Sequence, residues 1–587
     1  MTLLDSPVSE TSSPARSLIR PAKRSLDGLL CSGLFLVCYL AAWPFAEMGF
    51  VDDWSYVKTA EVFARTGHMV YNGFATPMLG WLMVWGALPI RLFGFSFTAV
   101  KLSTLPLALA TVFLFHAVLL RFGLTRRNAI LGTLTLALSP LLLPLAASYM
   151  TDVPGLLVIL LGLYGCQRAL AASSSAASIA WLAFAAGSSV AGGTARQIAW
   201  LGALVMVPSA AWILRKRRGV VPAAALLWVG SLGGVIGCLR WFARQPYSVP
   251  EAIFSSAPLG SGHGIVSVAI QYAGAFLCLL LLLFPLLAAS LARPPRLRPA
   301  TLLLFASVLV FWAVFQWQAG WTLPWIPHLL VSEFCAARTA VMSPPAVQSL
   351  ELPAAGRIAV SLLVVCAALF VVAQLRRARR DGAGLRKMDD WPQVLWLVCP
   401  FAAAYLVLLL PRALYANLYD RYLLGLMPLA IILLVRAYQQ WVAPRLPAIC
   451  VVTLAVYAAL AVAGTHDWFG WQRARLAAIA ELRASGVPRT TIQGGFEYDG
   501  WTQIENGGHI NDQRIQVPAG SWDPHPALPQ VAKDCVLDYS ALTPLVQPKF
   551  TVALGPEKCL LPSQYPPVTY RTWLPPFRRR IEIFRLQ

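Results

Sequence analysis

Residues 49–58 read GFVDDWSYVK and set two adjacent carboxylates, Asp52 and Asp53, directly after the first long apolar run of the chain. What surrounds them decides how they are read. Of 587 residues, 58% are hydrophobic and 12% charged, and the mean hydropathy is +0.63, too apolar for an ordinary soluble domain. Apolar runs of about 17–25 residues, the length that crosses a hydrocarbon core of about 30 Å, recur from Leu26 to about residue 464 and then stop. The chain reads as mainly α, a polytopic membrane protein, with Asp52 and Asp53 in a loop at a bilayer surface.

The candidate spans are 27–46, 98–120, 128–148, 152–171, 176–193, 198–214, 220–240, 265–291, 300–319, 357–375, 391–411, 422–441 and 447–464, about 13 transmembrane helices. Lys and Arg number 47 against 26 Asp and Glu, a net charge of +21. That excess is not a nucleic-acid footprint. It falls in short clusters between apolar runs, RKRR at 215–218 and RRARR at 376–380, as the positive-inside rule expects of cytoplasmic loops. Loops near 121, 171, 215, 293, 376 and 442 are therefore expected in the cytoplasm, and those near 47, 149, 194, 241, 320 and 412 outside. The run 76–94, TPMLGWLMVWGALPIRLFG, is apolar but short and broken by Pro and Gly. If it crossed, every later basic loop would change sides, so it is expected to lie along the outer surface with Trp81 and Trp85 as interfacial anchors.

Three parts follow: a disordered cytoplasmic tail, 1–25; a transmembrane domain, 26–464, with an outer loop at 47–97; and an extracytoplasmic domain, 465–587. The last contains IQGGFEYDGW, NGGHIND and SWDPHPALP, turn-rich strings between short apolar runs, as in a small α/β fold. The apolar run behind the tail lacks a cleavage site and is expected to remain as the first helix of a multi-pass protein of the cell (inner) membrane. Of the 11 cysteines, only Cys535 and Cys559 lie beyond residue 464. Outside the membrane they form either a disulfide or two separate thiols.

Asp152, in SYMTDVPGLL, falls in the second outward loop. The two loops flank consecutive helices, so their acids are expected near one another. One carboxylate could then take a proton from an acceptor hydroxyl while the second orients a partner. The plainer reading of Asp152 is a helix-terminal acid two residues before Pro154, and that of Asp53 a solvated loop residue.

The string VDDWSYVKTAEVFARTGHMVYNGFATPMLGW, 51–81, is similar to the first outer loop of GT-C membrane glycosyltransferases of the protein O-mannosyltransferase type, a group that includes the lipid A aminoarabinose transferases and the Rgt-like sugar transferases. Asp52, Asp53, Tyr56, Ala60, Gly67 and Pro77 match it, and the resemblance makes Asp52 the expected catalytic acid. RNAILGTLTLALSPLLLPLAASYMTDVPGLLVILLGLYG resembles the family's third and fourth helices with the loop between them, whose acid falls on Asp152. GGTARQIAWLGALVMVP resembles the segment carrying a basic residue that meets the donor phosphate, here Arg196, and YDRYLLGLMPL a late helix with an Arg–Tyr pair, here Arg421 and Tyr422. The similarity covers roughly the first 215 residues and, later, that short string. One departure stands out: a Glu–Lys pair that the aminoarabinose transferases use for metal and phosphate contacts is replaced by Ala75 and Thr76.

The resemblance implies an inverting glycosyltransferase with a polyprenyl-phosphate sugar donor and an extracytoplasmic glycan, lipid or protein hydroxyl as acceptor. Asp52 would deprotonate the acceptor, and Arg196 and Arg421 would carry the charge of the departing phosphate, although arginines at such positions also snorkel. Tyr56 and Trp321, the latter from QWQAGWTLPWIPH, are the candidate substrate-binding aromatics; interfacial anchoring is the plainer role of Trp321. No cofactor is called for and no metal ligand set is assigned; a divalent cation would have only Glu251 and His263 in one outer loop. The span count alone also fits a secondary transporter or flippase, which should show inverted repeats or midplane charges; neither stands out in the sequence. A structural assembly factor would tolerate neutral replacements of both outer acids.

Overall fold

The structure of the protein, a computed structural model, describes residues 19–74, 76–249, 264–292, scattered positions between 294 and 330, and residues 354–380, 390–415, 417–512, 514–515, 539–554, 559–574 and 576–586. Among the described residues nine helices are long and apolar enough to cross a membrane, from Ser25–Ala42 through Ile449–Ala484. The first nine helices in chain order are α1 (Ile19–Ala42), α2 (Asp53–Thr66), α3 (Gly80–Phe93), α4 (Phe97–Leu102), α5 (Thr104–Arg121), α6 (Arg126–Ala137), α7 (Leu142–Leu145), α8 (Asp152–Ala171) and α9 (Ser175–Gly193).

Nine continuous spans among the described residues stand where about 13 were expected, and the difference has local causes. The run 128–148 is interrupted between α6 and α7 at Ser139-Pro140, because a proline disfavours helix in the residue before it and donates no amide of its own; Ser139 Oγ accepts from Leu142 N instead, at 3.0 Å. The run 198–214 is a 3₁₀ turn at Gln197–Trp200, a π turn at Gly202–Met206 and a short helix. The run 422–441 divides likewise, into Asp420–Gly425, Met427–Ala437 and Tyr438–Val442. Residues 300–319 fall largely outside the described residues. In α3, 14 residues rise only about 21 Å, too little to cross. It packs beside α2, with Arg91 Nε donating to Ala64 O at 3.1 Å.

Side-chain ties sort the loops into two groups. At one end Arg217 donates to Ala172 O at 2.7 Å, Asn128 to Gln439 at 2.9 Å, and Leu446 N to Asn128 at 3.0 Å. At the other end the segments around residues 47–52, 149–151, 194–200 and 417–425 gather beneath the C-terminal domain. The helix Ile449–Ala484, 36 residues long, or about 54 Å, leads from the apolar bundle into that domain without a break. There, strands β1 (Ile492–Gln493) and β2 (Phe550–Ala553) pair in parallel, and β5 (Arg578–Leu586) pairs antiparallel with β2, β3 (Leu560–Pro562) and β4 (Val568–Arg571). The domain rests on the first loop. Ile510 N donates to Asn72 O at 2.8 Å, Trp501 stacks on Phe95, and Gly500 lies so close to Trp54 that a Cβ there would meet its ring at 2.6 Å. Cys559 is disulfide-bonded, and Cys535 lies outside the described residues.

Candidate active site

The first loop is aimed by a strained residue. Val51 holds φ at +54°, a left-handed conformation that a β-branched side chain rarely adopts and that costs about 1–3 kcal/mol. The bend places Asp52 at the N-cap of α2, where its side chain makes no capping bond. It turns to Arg421 instead: Oδ2 lies 2.8 Å from Arg421 Nη2, with both side chains about nine-tenths enclosed.

Asp53 faces the other way. Its oxygens accept from Phe50 N at 2.5 Å and Tyr149 N at 2.8 Å, so it staples the first loop to the second. Burial pushes its carboxyl up to about 7, against the lowering pull of Lys101 and the two amides. Gly49 admits this staple, since a Cβ there would sit 2.7 Å from Trp54 Cβ and 3.0 Å from Asp53 Oδ1.

In the second loop Asp152 opens α8 with its side chain almost wholly enclosed, and its Oδ1 lies 2.9 Å from Arg196 Nη2. The approach is off-axis, so among the described residues neither carboxylate oxygen has a hydrogen-bond donor; the contact is a close ion pair with its directional capacity unspent. Arg196 Nη1 donates to Thr151 Oγ1 at 3.1 Å. Its stem crosses the first turn of α8 at Gly155, where a Cβ would come within 2.5 Å of Arg196 Cδ.

One aromatic ring joins the two pairs. The Tyr422 ring centre is 5.7 Å from the Arg421 guanidinium and 5.9 Å from that of Arg196, and Tyr419 lies 5.7 Å from Arg421. Tyr56, one helical turn beyond Asp52, is buried and within electrostatic reach of all four charges; burial first, then Asp52 and Asp152 against Arg421 and Arg196, holds its phenol well above the ordinary value. It stays protonated and able to donate. Asp420, whose Oδ2 accepts from Leu330 N at 2.5 Å, fixes the turn that presents Arg421.

Asp52, Asp152, Arg196, Arg421, Tyr422 and Tyr56 thus lie together, and Asp53 braces them from behind. Trp321, Glu251 and His263 lie outside the described residues; of the tryptophans in QWQAGWTLPWIPH, Trp325 is described and is buried. Among the described residues no group of three or more His, Cys, Asp or Glu side chains is placed to hold a metal. Sequence reasoning missed Gly155, Thr151, Tyr419 and Asp420. Gly155, three residues after Asp152 in a helix-opening turn, carried a readable signal: a glycine there marks close approach by another group. A cavity of about 470 Å³ lies elsewhere, between the long helix and β4.

No family model and no curated protein matches the chain. Among solved structures it is similar to ArnT from Cupriavidus metallidurans in the apo state, at 16% identity and a TM-score of 0.37 over 94% of this chain and 97% of that one. It is similar also to the Archaeoglobus fulgidus oligosaccharyltransferase, at 13% identity and a TM-score of 0.44 over 91% of this chain and 65% of that one. A third is the S. cerevisiae protein O-mannosyltransferase Pmt1–Pmt2 complex bound to the sugar donor, at 15% identity and a TM-score of 0.31 over 38% of this chain and 33% of that one; the chain spans about a third of that length. The likeness is one of overall architecture and assigns no residue a role.

Proposed function

We propose that the chain is an inverting glycosyltransferase that moves a sugar from a polyprenyl-phosphate donor to an extracytoplasmic glycan, lipid or protein hydroxyl. The observation that carries this reading is the pairing of Asp52 with Arg421 and of Asp152 with Arg196, at 2.8 and 2.9 Å, around the shared ring of Tyr422. The resemblance of 51–81 to the first outer loop of the GT-C enzymes supports it independently.

Asp52 takes the proton of the acceptor hydroxyl as that oxygen forms its bond to the anomeric carbon. The bond from that carbon to the phosphate oxygen breaks, its electron pair leaves with the polyprenyl phosphate, and the anomeric configuration inverts. Arg421, 2.8 Å away, fixes the position of the Asp52 carboxylate. The guanidinium of Arg196 and the Nε of Arg421, which has no hydrogen-bond partner among the described residues, supply donors where negative charge grows on the leaving phosphate; a planar fork suits such oxyanions. Asp152 orients Arg196, Asp53 is a positioning residue, and Tyr56 donates from its protonated phenol. The distribution of basic loops supports an orientation with this end of the bundle outside the cell membrane and the N-terminus in the cytoplasm.

The test incubates the purified protein with a panel of polyprenyl-phosphate sugars and an acceptor pool, following the polyprenyl phosphate released. Wild type consumes at least one donor and Asp52→Asn does not. An Asp52→Asn protein that turns over like wild type removes Asp52 from the role of base.

A further inference from the structure

The second half of the long helix carries a feature that sugar transfer does not use. Within its apolar first half, Val452, Val456 and Leu460 are 58, 57 and 47% exposed, a stripe at helical spacing that faces lipid. Continued at 100° per residue, the face centred on Val452 passes through His466, Gly470 and Ala477, with Arg473 on its flank. Those residues form one wall of the cavity of about 470 Å³, whose other wall is β4 with Tyr570, Arg571 and Trp573. The opposite face of the helix, with Trp468, packs on Phe50 of the first loop, and Phe469 on the flank stacks on the same ring. The cavity is therefore on the lipid side, separated from the acid–arginine cluster by the body of the helix.

Its depth is also marked. Arg473 Nη1 donates to Trp43 O at 2.9 Å and Phe45 O at 3.0 Å, directly past the end of α1, so the cavity opens where the first span ends. Trp43, Trp573 and Phe577 are exposed around it, aromatic groups of the kind that settle at headgroup level. Asp467 builds the rim, accepting from Trp573 N at 2.7 Å and Leu574 N at 2.8 Å and holding His466 at 2.9 Å; His466 stacks on Trp573 at 4.0 Å.

The charge is one-sided. Arg571 of β4 stands directly opposite Arg578 of β5, and Tyr570 opposite Arg579. Like charges facing each other across two strands are destabilising. Of the described residues, Arg580 has Glu582 as a partner, whereas Arg473, Arg571, Arg578 and Arg579 have no carboxylate partner. At Gly470 the cavity floor is close to β4: a Cβ there would be in ordinary contact, 3.8 Å from Arg473 Nη2, Arg571 O and the Tyr570 ring.

We infer that this cavity is a binding site for the headgroup of an anionic glycerophospholipid in the leaflet that borders the C-terminal domain. The phosphate is met by Arg473 and Arg571, the acyl chains follow the valine stripe, and Trp573 and Tyr570 enclose the glycerol region. The charge facing the phosphate is that of the arginines, with His466 and its partner Asp467 at the rim. Occupancy by an anion relieves the repulsion between Arg571 and Arg578.

The full-length protein in phosphatidylcholine nanodiscs, given a trace of photoactivatable phosphatidylglycerol, tests this by peptide mapping of the label. Peptides covering 466–477 and 568–574 should be labelled about fivefold more for each arginine engaged than with photoactivatable phosphatidylcholine. Gly470→Leu, which fills the floor, and Arg571→Gln should each reduce the preference while keeping the thermal midpoint. Equal labelling by the two probes, or a preference that survives both variants, overturns the inference. So does loss of the preference in excess inorganic phosphate, which would make this a site for free anions.

Discussion

Carboxylate–guanidinium pairs close both ends of the helical bundle, and the two ends build them differently. Away from the C-terminal domain, Asp27 receives two nitrogens of Arg126, whose side chain is 61% exposed, and buried Arg436 reaches Asp390, 48% exposed. One member of each pair stands in water, so these contacts tie helices at low cost, with Arg436 Nε the one atom of the four side chains left buried without a partner among the described residues. Beneath the C-terminal domain both members of both pairs are enclosed, Asp52 with Arg421 and Asp152 with Arg196. Enclosed ion pairs carry a desolvation penalty that attraction alone seldom repays, and here bonding capacity is left over on Asp152 and on Arg421 Nε. A pair that merely ties elements can stay wet. Two enclosed pairs with capacity to spare that share one ring, as Asp52–Arg421 and Asp152–Arg196 share Tyr422, are suited to a third, charged participant. Arg475–Glu497, with Arg475 Nε and Nη1 also unpartnered among the described residues, stands apart from them.

The sharpest way to break this contrast is Asp52→Asn, expected to lower single-turnover sugar transfer about 10²–10⁴-fold with a near-normal thermal midpoint. Next is a control for burial without chemistry. Arg475 and Glu497, 2.8 Å apart and wholly buried in the C-terminal domain, should lose about 3–5 kcal/mol in denaturant unfolding on Glu497→Ala, because a buried charge is stranded. Arg196→Gln should then cost about 10²-fold in transfer rate; Gly155→Ala, which crowds the Arg196 stem, should reproduce part of that loss, and kcat should fall more than KM rises.

A smaller effect is a pH dependence of stability. Burial raises Asp53 to about 7 and Asp499 to about 8, above the unfolded carboxyl values, so the folded chain binds more protons. Stability from these groups is fully present below about pH 4 and is lost as the pH rises through about 7–8. The thermal midpoint should fall between about pH 5 and pH 9, and less steeply in Asp499→Asn. Smallest of all, Asp27→Asn at the wet end should leave transfer within about twofold of wild type; a loss like that of Asp52→Asn would erase the distinction between the ends.

How much of this was legible depends on the kind of signal. Span hydrophobicity and the placement of RKRR and RRARR are local and additive, so they could be read, as could the neighbourhood of Asp52 and Asp152 from two short loops on consecutive helices. Helix breaks were harder, because Pro140 and Gly202 act through neighbours: Gly202 is needed where a Cβ would meet Ser189 Oγ at 2.2 Å. Asp53 looked the same as Asp52 in sequence, and only the position of Tyr149 N, nearly a hundred residues on, makes it a staple. The turn that carries Arg421 depends on Asp420 bonding Leu330 N, a contact no periodicity announces.

The fit between Gly500 and Trp54 bears on how the protein is made. The first loop leaves the ribosome early, while the surface that covers it belongs to the last part of the chain. A nascent protein therefore carries its acids and aromatic rings unroofed through most of its synthesis, and they are covered only when the C-terminal domain has emerged and docked. Chains cut short before that point would be inserted in the membrane with the acid–arginine cluster left uncovered.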